Sequence, residues 1–243
     1  MQPTELSARS LDGRLEPSQD PLGNGVAAGM PAGRDLTGTA VVIPTSQRRD
    51  VVVASATALA DQTDAEAYEV IIVVDGSTDG TVDALRTLPF PLRVVEQPNG
   101  GAAMVRNTGA RLARGRIILF LDDDRQADRH LLEDHARQHD RGAVAVIGHI
   151  PLHPDSPRNL LSRHVGAWAG RRGKALAAPG ARITMTVVPT GNRSVRHAAF
   201  AALGGFDQRF IDDGSLGKED VGRGCRLIGS GVSIASDSQA VSY

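Results

Sequence analysis

The chain has 243 residues, 41% of them hydrophobic and 23% charged, an ordinary make-up that fits one large α/β domain or two small ones. A formal net charge of -1 and an aromatic content of 3% exclude the electrostatic footprint and the base-stacking platforms of a nucleic-acid binder. No apolar run reaches the roughly 18 residues of a membrane-spanning helix, and the N-terminus lacks the basic-then-apolar order of a signal peptide. The chain therefore reads as cytoplasmic, without a transmembrane segment, and with peripheral membrane contact at most.

Residues 1–36 are rich in Gly, Pro, Ser and Asp, show no periodicity, and read as a disordered leader. From residue 37 to 243 strands and helices alternate. Thr39 to Pro44 is strand-like, and a helical pattern follows to Leu59. Tyr68 to Val74 is a second strand, rich in β-branched residues. It ends at Asp75-Gly76-Ser77-Thr78-Asp79-Gly80, a turn full of capping side chains. Leu92 to Val95 is a short strand, and Ala102 to Ala113 is a helix with Gly115 placed as its C-terminal cap.

Next comes the most telling stretch, Arg116 to Leu121 followed by Asp122-Asp123-Asp124. An apolar run of this kind is a buried strand, and unpaired carboxylates cannot stay inside with it. They must emerge together at the strand's C-terminal end, where open α/β sheets bind their ligands. Alone, the run is equally consistent with a solvated acidic turn. Asp128 to His139 reads as a helix whose His130, His135 and His139 lie on a surface face. Ala143 to Ile150 reads as a strand.

Pro151 to Ala181 breaks the rhythm and is expected to run as an excursion over the active edge; it carries Arg171, Arg172, Lys174 and the only tryptophan, Trp168. Arg182 to Val188 is strand-like, and Arg196 to Leu203 is helical. Glu219-Asp220 opens a last helix to Ile228. Cys225 lies in it; a lone cysteine excludes an internal disulfide or a Cys-rich zinc site, and its apolar neighbours predict a packed thiol.

Alternation of this kind implies βαβ units and a mainly parallel central sheet flanked by helices. Thr45, Asp75 and Asp122 each follow a strand, so parallel strands bring all three to one edge. The carboxylates are hard oxygen ligands, which favour Mg²⁺ or Mn²⁺ over Zn²⁺.

Several motifs together resemble family 2 glycosyltransferases of the GT-A fold. They are Val41-Val42-Ile43-Pro44-Thr45, Val73 to Gly80, Asn99-Gly100-Gly101, Arg106-Asn107-Thr108-Gly109 and Phe120 to Asp124. Thr190-Gly191-Asn192, Gly204-Gly205-Phe206-Asp207 and Glu219-Asp220 complete the set. The resemblance implies a GT-A-type α/β fold with a donor-nucleotide half over 37–125 and an acceptor half over 126–243. It implies a metal-dependent transferase moving a sugar from a nucleotide-diphosphate donor, UDP favoured, to an acceptor hydroxyl. Asp75 would accept a hydrogen bond from the base, Pro44 and Thr45 would line the nucleoside, and Arg106 would place a positive charge near the acids or the diphosphate. Asp122 and Asp124 match the Asp-x-Asp motif, with Asp122 toward donor hydroxyls and metal, Asp124 on the metal, and Asp123 beside them. Asp220 matches the general base of inverting members, and Glu219 would orient the acceptor. A further metal-contacting His is implied at or just beyond Tyr243.

Two other classes stay open. Gly222 and Arg223 depart from the family's pattern after Glu219-Asp220, which motivates the reading of a non-catalytic nucleotide-sugar-binding relative. A sugar-phosphate nucleotidyltransferase would carry a Gly-rich basic loop after the first strand, whereas residues 44–49 hold no glycine.

Overall fold

A computed structural model describes residues 38–63, 67–177, 183, 191–207 and 218–243, without the side chains of Ala177, Lys218 to Val221 and Arg223. The expected leader over 1–36, the strand over 182–188 apart from Ile183, and Thr190 lie outside the described residues.

Runs of β-branched residues build the first four strands: β1 (Thr39–Thr45), β2 (Tyr68–Asp75), β3 (Arg93–Gln97) and β4 (Ile117–Leu121). β1 pairs in parallel with β2 and with β4, and β2 pairs in parallel with β3. The helices α1 (Arg49–Thr57), α2 (Thr81–Arg86) and α3 (Gly101–Leu112) make the crossovers. α4 (Leu131–Asp140) leads to β5 (Ala145–His149), and α5 (Leu160–Ala177) follows. β6 (Asn192–Arg196), α6 (His197–Ala202), α7 (Lys218–Gly229) and β7 (Ile234–Val241) complete the order. The seven strands form one sheet in the order β3-β2-β1-β4-β6-β5-β7. β6 runs antiparallel to both of its neighbours, and β5 pairs in parallel with β7.

Strand alternation divides the core into two layers. Val42, Ile71, Val73, Ile118 and Phe120 meet Ala103 and Val105 of α3, Phe200 of α6 and Leu227 of α7. Val41, Ile43, Ile72, Val74, Leu119 and Leu121 meet Val52 of α1, Leu85 of α2 and Leu131 of α4 on the other face. With both faces covered, the parallel strands are apolar at nearly every position.

Three expectations need correction. Gly115 does not cap α3, whose C-cap is Ala113; a Cβ at Gly115 would lie 2.6 Å from the Ala40 nitrogen, so glycine there permits close approach to β1. His135 and His139 are not on a surface face: both are fully buried against β6. The stretch after β5, read as an excursion over the active edge, holds the 18-residue helix α5, which the sequence reading did not identify. Cys225 is exposed rather than packed. β7 had no counterpart in the sequence reading, because Ser236, Asp237, Ser238 and Gln239 mask its strand character.

Candidate active site

β1, β2 and β4 are parallel, so Thr45, Asp75 and Asp122 stand together at the C-terminal edge of the sheet. A cavity of about 440 Å³ opens there, lined by Pro44, Thr45, Arg48, Asp75, Arg106 and Asp122 to Asp124 among others. A volume of this size lies within the range of small-molecule sites. The three strand ends predicted to converge do converge.

Asp75 is buried and tied to the start of α3. Its Oδ1 accepts from Gln97 Nε2 at 3.0 Å and from the Gly100 N–H at 2.9 Å, and its Oδ2 accepts from the Gly101 N–H at 3.0 Å. The carboxylate thus serves N–H groups that the helix start cannot satisfy internally. About four acceptor positions exist on a carboxylate, so one remains for a ligand donor. The turn after it is also fixed. Gln47, with φ of 53°, is the one non-glycine with positive φ among the described residues. Its N–H donates to Ser77 Oγ at 2.8 Å, and its side-chain amide donates to the Gly76 carbonyl at 3.2 Å. These bonds hold a conformation that side chains rarely adopt.

The three carboxylates after β4 divide the work. Asp123 points inward and is buried; its Oδ2 accepts from Thr45 Oγ1 at 2.8 Å and its Oδ1 from Arg48 Nη1 at 2.6 Å. Burial pushes its carboxyl above the usual range, while the Thr45 hydroxyl and the Arg48 charge oppose the rise. Asp122 and Asp124 stay accessible, with side chains 34% and 43% exposed. Asp122 Oδ1 accepts from Arg106 Nη2 at 2.9 Å. Arg106 is itself buried, its guanidinium 5.7 Å from the centre of the Phe206 ring. Asp124 lies between Arg48 Nη2 at 3.7 Å and Arg125 Nε at 3.3 Å. Those separations are longer than charge-assisted hydrogen bonds, so its oxygens remain available.

Three arginines therefore face three carboxylates. Arg106 was expected here; Arg48 and Arg125 were not. Their signal was present, because Arg48 ends the loop after β1 and Arg125 directly follows the acids. Charges that neighbour a strand end in sequence are neighbours of the site in space.

Gly191 approaches closely: a Cβ on it would lie 2.5 Å from Asp122 Oδ2. Its carbonyl accepts from the Asp122 N–H at 3.5 Å. Glycine is what lets the start of β6 lie against the acid. Tyr243 pairs with Gln126, its N–H donating to the Gln126 carbonyl at 2.8 Å and the Gln126 N–H returning a bond at 2.9 Å. Tyr243, at or just beyond which the further His was implied, thus pairs with a residue two positions along the chain from Asp124. Glu219 and Asp220 lie in the first turn of α7; their side chains are outside the described residues.

Among the described residues no three His, Cys, Asp or Glu side chains gather closely enough to hold a metal alone. Asp122 and Asp124 can supply two hard oxygen ligands at the cavity wall. Mg²⁺ is commonly held by one or two carboxylates together with substrate phosphates, so this set fits a shell that a diphosphate completes.

A parallel sheet with one crossover-built binding edge and an antiparallel strand beyond it defines a GT-A fold, and the solved structures agree. The *S. aureus* TarS 1-349 structure in complex with UDP matches with a TM-score of 0.68 at 18% identity, over 85% of this chain and 60% of that one. The mannosyltransferase PcManGT from *Pyrobaculum calidifontis*, in complex with GDP-Man and Mn²⁺, matches with a TM-score of 0.61 at 22% identity, over 86% and 59%. The family model for glycosyl transferase family 2 matches residues 40–204, more than half the chain, and the chain belongs to that family. Validoxylamine A glucosyltransferase of *Streptomyces hygroscopicus* subsp. *jinggangensis* is 32% identical over 220 residues, covering 79% of this chain and 51% of that protein. The *Bacillus subtilis* uncharacterized glycosyltransferase YfnE is 36% identical over 112 residues, covering 44% and 28%. The chain thus spans about half, or less, of the length of these curated relatives.

Proposed function

We propose that this domain transfers a sugar from a nucleotide-diphosphate donor to an acceptor hydroxyl. One observation carries the reading: Thr45, Asp75, Arg106 and Asp122 to Asp124 reach one cavity from separate strands and helices. UDP is the favoured nucleotide, supported by the UDP complex of TarS and by the one acceptor position that Asp75 keeps toward the nucleoside. Pro44 and Thr45 line the nucleoside. Arg106, and Arg48 from the loop after β1, lower the energy of the charge that develops on the diphosphate as the glycosidic bond breaks. Mn²⁺ or Mg²⁺, held by Asp122 and Asp124, would supply Lewis-acid stabilisation of the same leaving group; the Mn²⁺ in the PcManGT structure supports this choice. Asp123 is the inner brace, locking the loop after β1 to the end of β4.

Asp220 is the general base in this reading. It takes the proton of the acceptor hydroxyl while the sugar is attacked from the face opposite the leaving group, giving inversion. Glu219 orients the acceptor. The donor half is 37–125, the acceptor half is 126–243, and the domain works in the cytoplasm. Family membership removes the nucleotidyltransferase alternative.

Titration calorimetry with a panel of nucleotide sugars and Mn²⁺ tests the assignment. Asp124→Ala should lose the metal-dependent part of donor binding, and unchanged heats would sink the role of Asp124. Asp220→Asn should bind donor as tightly as the parent yet transfer sugar at least about a hundredfold more slowly. Normal turnover would remove Asp220 as the base. If the parent chain itself binds donor without turnover, the non-catalytic reading replaces the enzyme.

A further inference from the structure

α5 docks on the sheet with one side and leaves the other open. Ala169 and Arg172 are buried, and Ser236 Oγ of β7 donates to the Leu176 carbonyl at 2.9 Å. The outward side is unusual for a surface helix. Leu160 is 81% exposed, Leu161 72%, Val165 40% and Trp168 50%. Leu161, Val165 and Trp168 follow the i, i+4, i+7 spacing of a single helical stripe. Around the same outward half come Arg163, Arg171 and Lys174, with Arg158 just before the helix. Among the described residues, none of these four cations has an acidic partner.

The local charge is one-sided. From Ser156 to Phe206 the sequence contains no Asp or Glu, but eight Lys and Arg, in a protein whose formal net charge is -1. A concavity of about 570 Å³ at the helix start is lined by Arg158, Asn159, Leu160, Leu161 and Arg163, so guanidinium groups and leucines meet at one place. No helix among the described residues is long and apolar enough to cross a membrane. An apolar stripe that includes a tryptophan, bordered by unpaired cations, is the pattern of a helix lying in the plane of an anionic bilayer surface.

We propose that the outward face of α5 docks this protein on an anionic phospholipid membrane. Leu161, Val165 and Trp168 enter the headgroup and acyl boundary, while Arg158, Arg163, Arg171 and Lys174 meet lipid phosphates. The charge complementarity chooses this occupant: a second copy would bring its own cations against these, and like charges repel. Docking would also orient the site. Gly173 of α5 lies so close to His149, at the edge of the sheet that carries Asp122, that a Cβ on it would be 2.8 Å from His149 Cε1. The helix therefore borders the binding edge, and an acceptor carried on the bilayer would reach it without leaving the surface. That last step rests on the transferase reading; the docking does not.

The test uses the full chain and vesicles of equal parts phosphatidylglycerol and phosphatidylcholine, against vesicles of phosphatidylcholine alone. Trp168 is the only tryptophan, so its emission reports on the helix directly. Expected are co-flotation with the anionic vesicles, a blue shift of Trp168 emission, and release by high salt. The Arg163→Glu/Arg171→Glu/Lys174→Glu variant should partition about a hundredfold less. The Leu161→Ser/Val165→Ser variant should lose the blue shift. Both should keep the parent's circular dichroism and donor-binding heat, which separates lost docking from lost fold or lost transferase function. Absence of co-flotation, binding indifferent to charge reversal, or a blue shift that follows protein concentration without vesicles would overturn the proposal; the last would make the partner a second copy.

Discussion

Two polar clusters lie on either side of a single step in the chain, and they obey opposite rules. At the edge of the sheet Asp122 to Asp124 are charged, and Asp122 and Asp124 face water and arginines. One residue inward from Gly191, Asn192 begins a cluster shut off from bulk solvent and built of neutral side chains. Asn192 pairs with Leu121 and Ser194 with Leu119 in the register of β4 and β6. His135 Nε2 lies 2.8 Å from Asn192 Oδ1, and Ser194 Oγ lies 2.8 Å from His135 Nδ1 and 2.7 Å from His139 Nε2. All four residues are completely buried. At the edge, ionised groups meet solvent and counter-charge; in this inner cluster the polar groups are neutral and mutually bonded. The outer cluster is free to bind; the inner one sets the position of the strand that carries Gly191.

The largest expected effect comes from cutting the inner cluster. Besides its bond to His135, the Asn192 amide donates to the Ala240 carbonyl at 2.9 Å and to the His149 carbonyl at 3.2 Å, joining β6 to β5, β7 and α4. Asn192→Ala strands three buried partners and should destabilise by about 3 to 5 kcal/mol in denaturant unfolding. A loss below about 1 kcal/mol would mean that water enters the cluster, and the contrast with the edge would fail.

Acid should act on the inner cluster next. Burial pulls the imidazoles of His135 and His139 down to about 4, with the neighbouring Arg196 and Arg116 helping at His139 and the Asp237 charge opposing at His135. The unfolded chain takes up these protons near 6.5. Stability from the neutral rings is therefore full above that value and is lost as the pH falls toward 4. By pH 5 the loss should be about 2 kcal/mol per histidine, seen as a lower denaturation midpoint than at pH 7. His135→Gln should flatten this dependence. A midpoint that does not move between pH 7 and 5 would show rings that already exchange protons with solvent.

The difference between the clusters also explains what could be read in the sequence. The edge was legible because its parts are local: each of Thr45, Asp75 and Asp122 ends an apolar run, and parallel strands do the rest. The inner cluster was not. His135 and His139 stand four apart beside Glu133, Asp134 and Arg137, which reads as a solvated helix face. Only the pairing of β6 between β4 and β5 shows that this face is covered. β6 itself was not read as a strand: Thr190-Gly191-Asn192 stood only as a motif, since an antiparallel strand reached through a long connection leaves no local mark. β7 was hidden because Asp237, which accepts from Gln138 Nε2 at 2.7 Å, is a buried acid in a strand otherwise rich in serine. α5 escaped because Pro151, Pro154 and Pro157 before it and Gly166, Gly170 and Gly173 within it read as breakers of regular structure.

The smallest expected effect on stability gives the sharpest view of the boundary. In Gly191→Ala the new Cβ would meet Asp122 Oδ2 at 2.5 Å and come within 3.6 Å of Arg125 Nε. Both contacts are the far ends of accessible side chains, which can turn aside, so the unfolding free energy should change by less than about 1 kcal/mol. Turning Asp122 aside, however, takes its carboxylate from Arg106 and from the cavity, and nucleotide-sugar affinity should fall by about tenfold, one lost charge-assisted hydrogen bond. The Asp122→Asn variant should weaken binding to a similar degree, and the double variant should add little to either, because both changes remove the same contact. A large stability loss in Gly191→Ala would place Gly191 in the rigid interior with Asn192. Full additivity in the double variant would mean that Gly191 reaches the donor by some route other than Asp122.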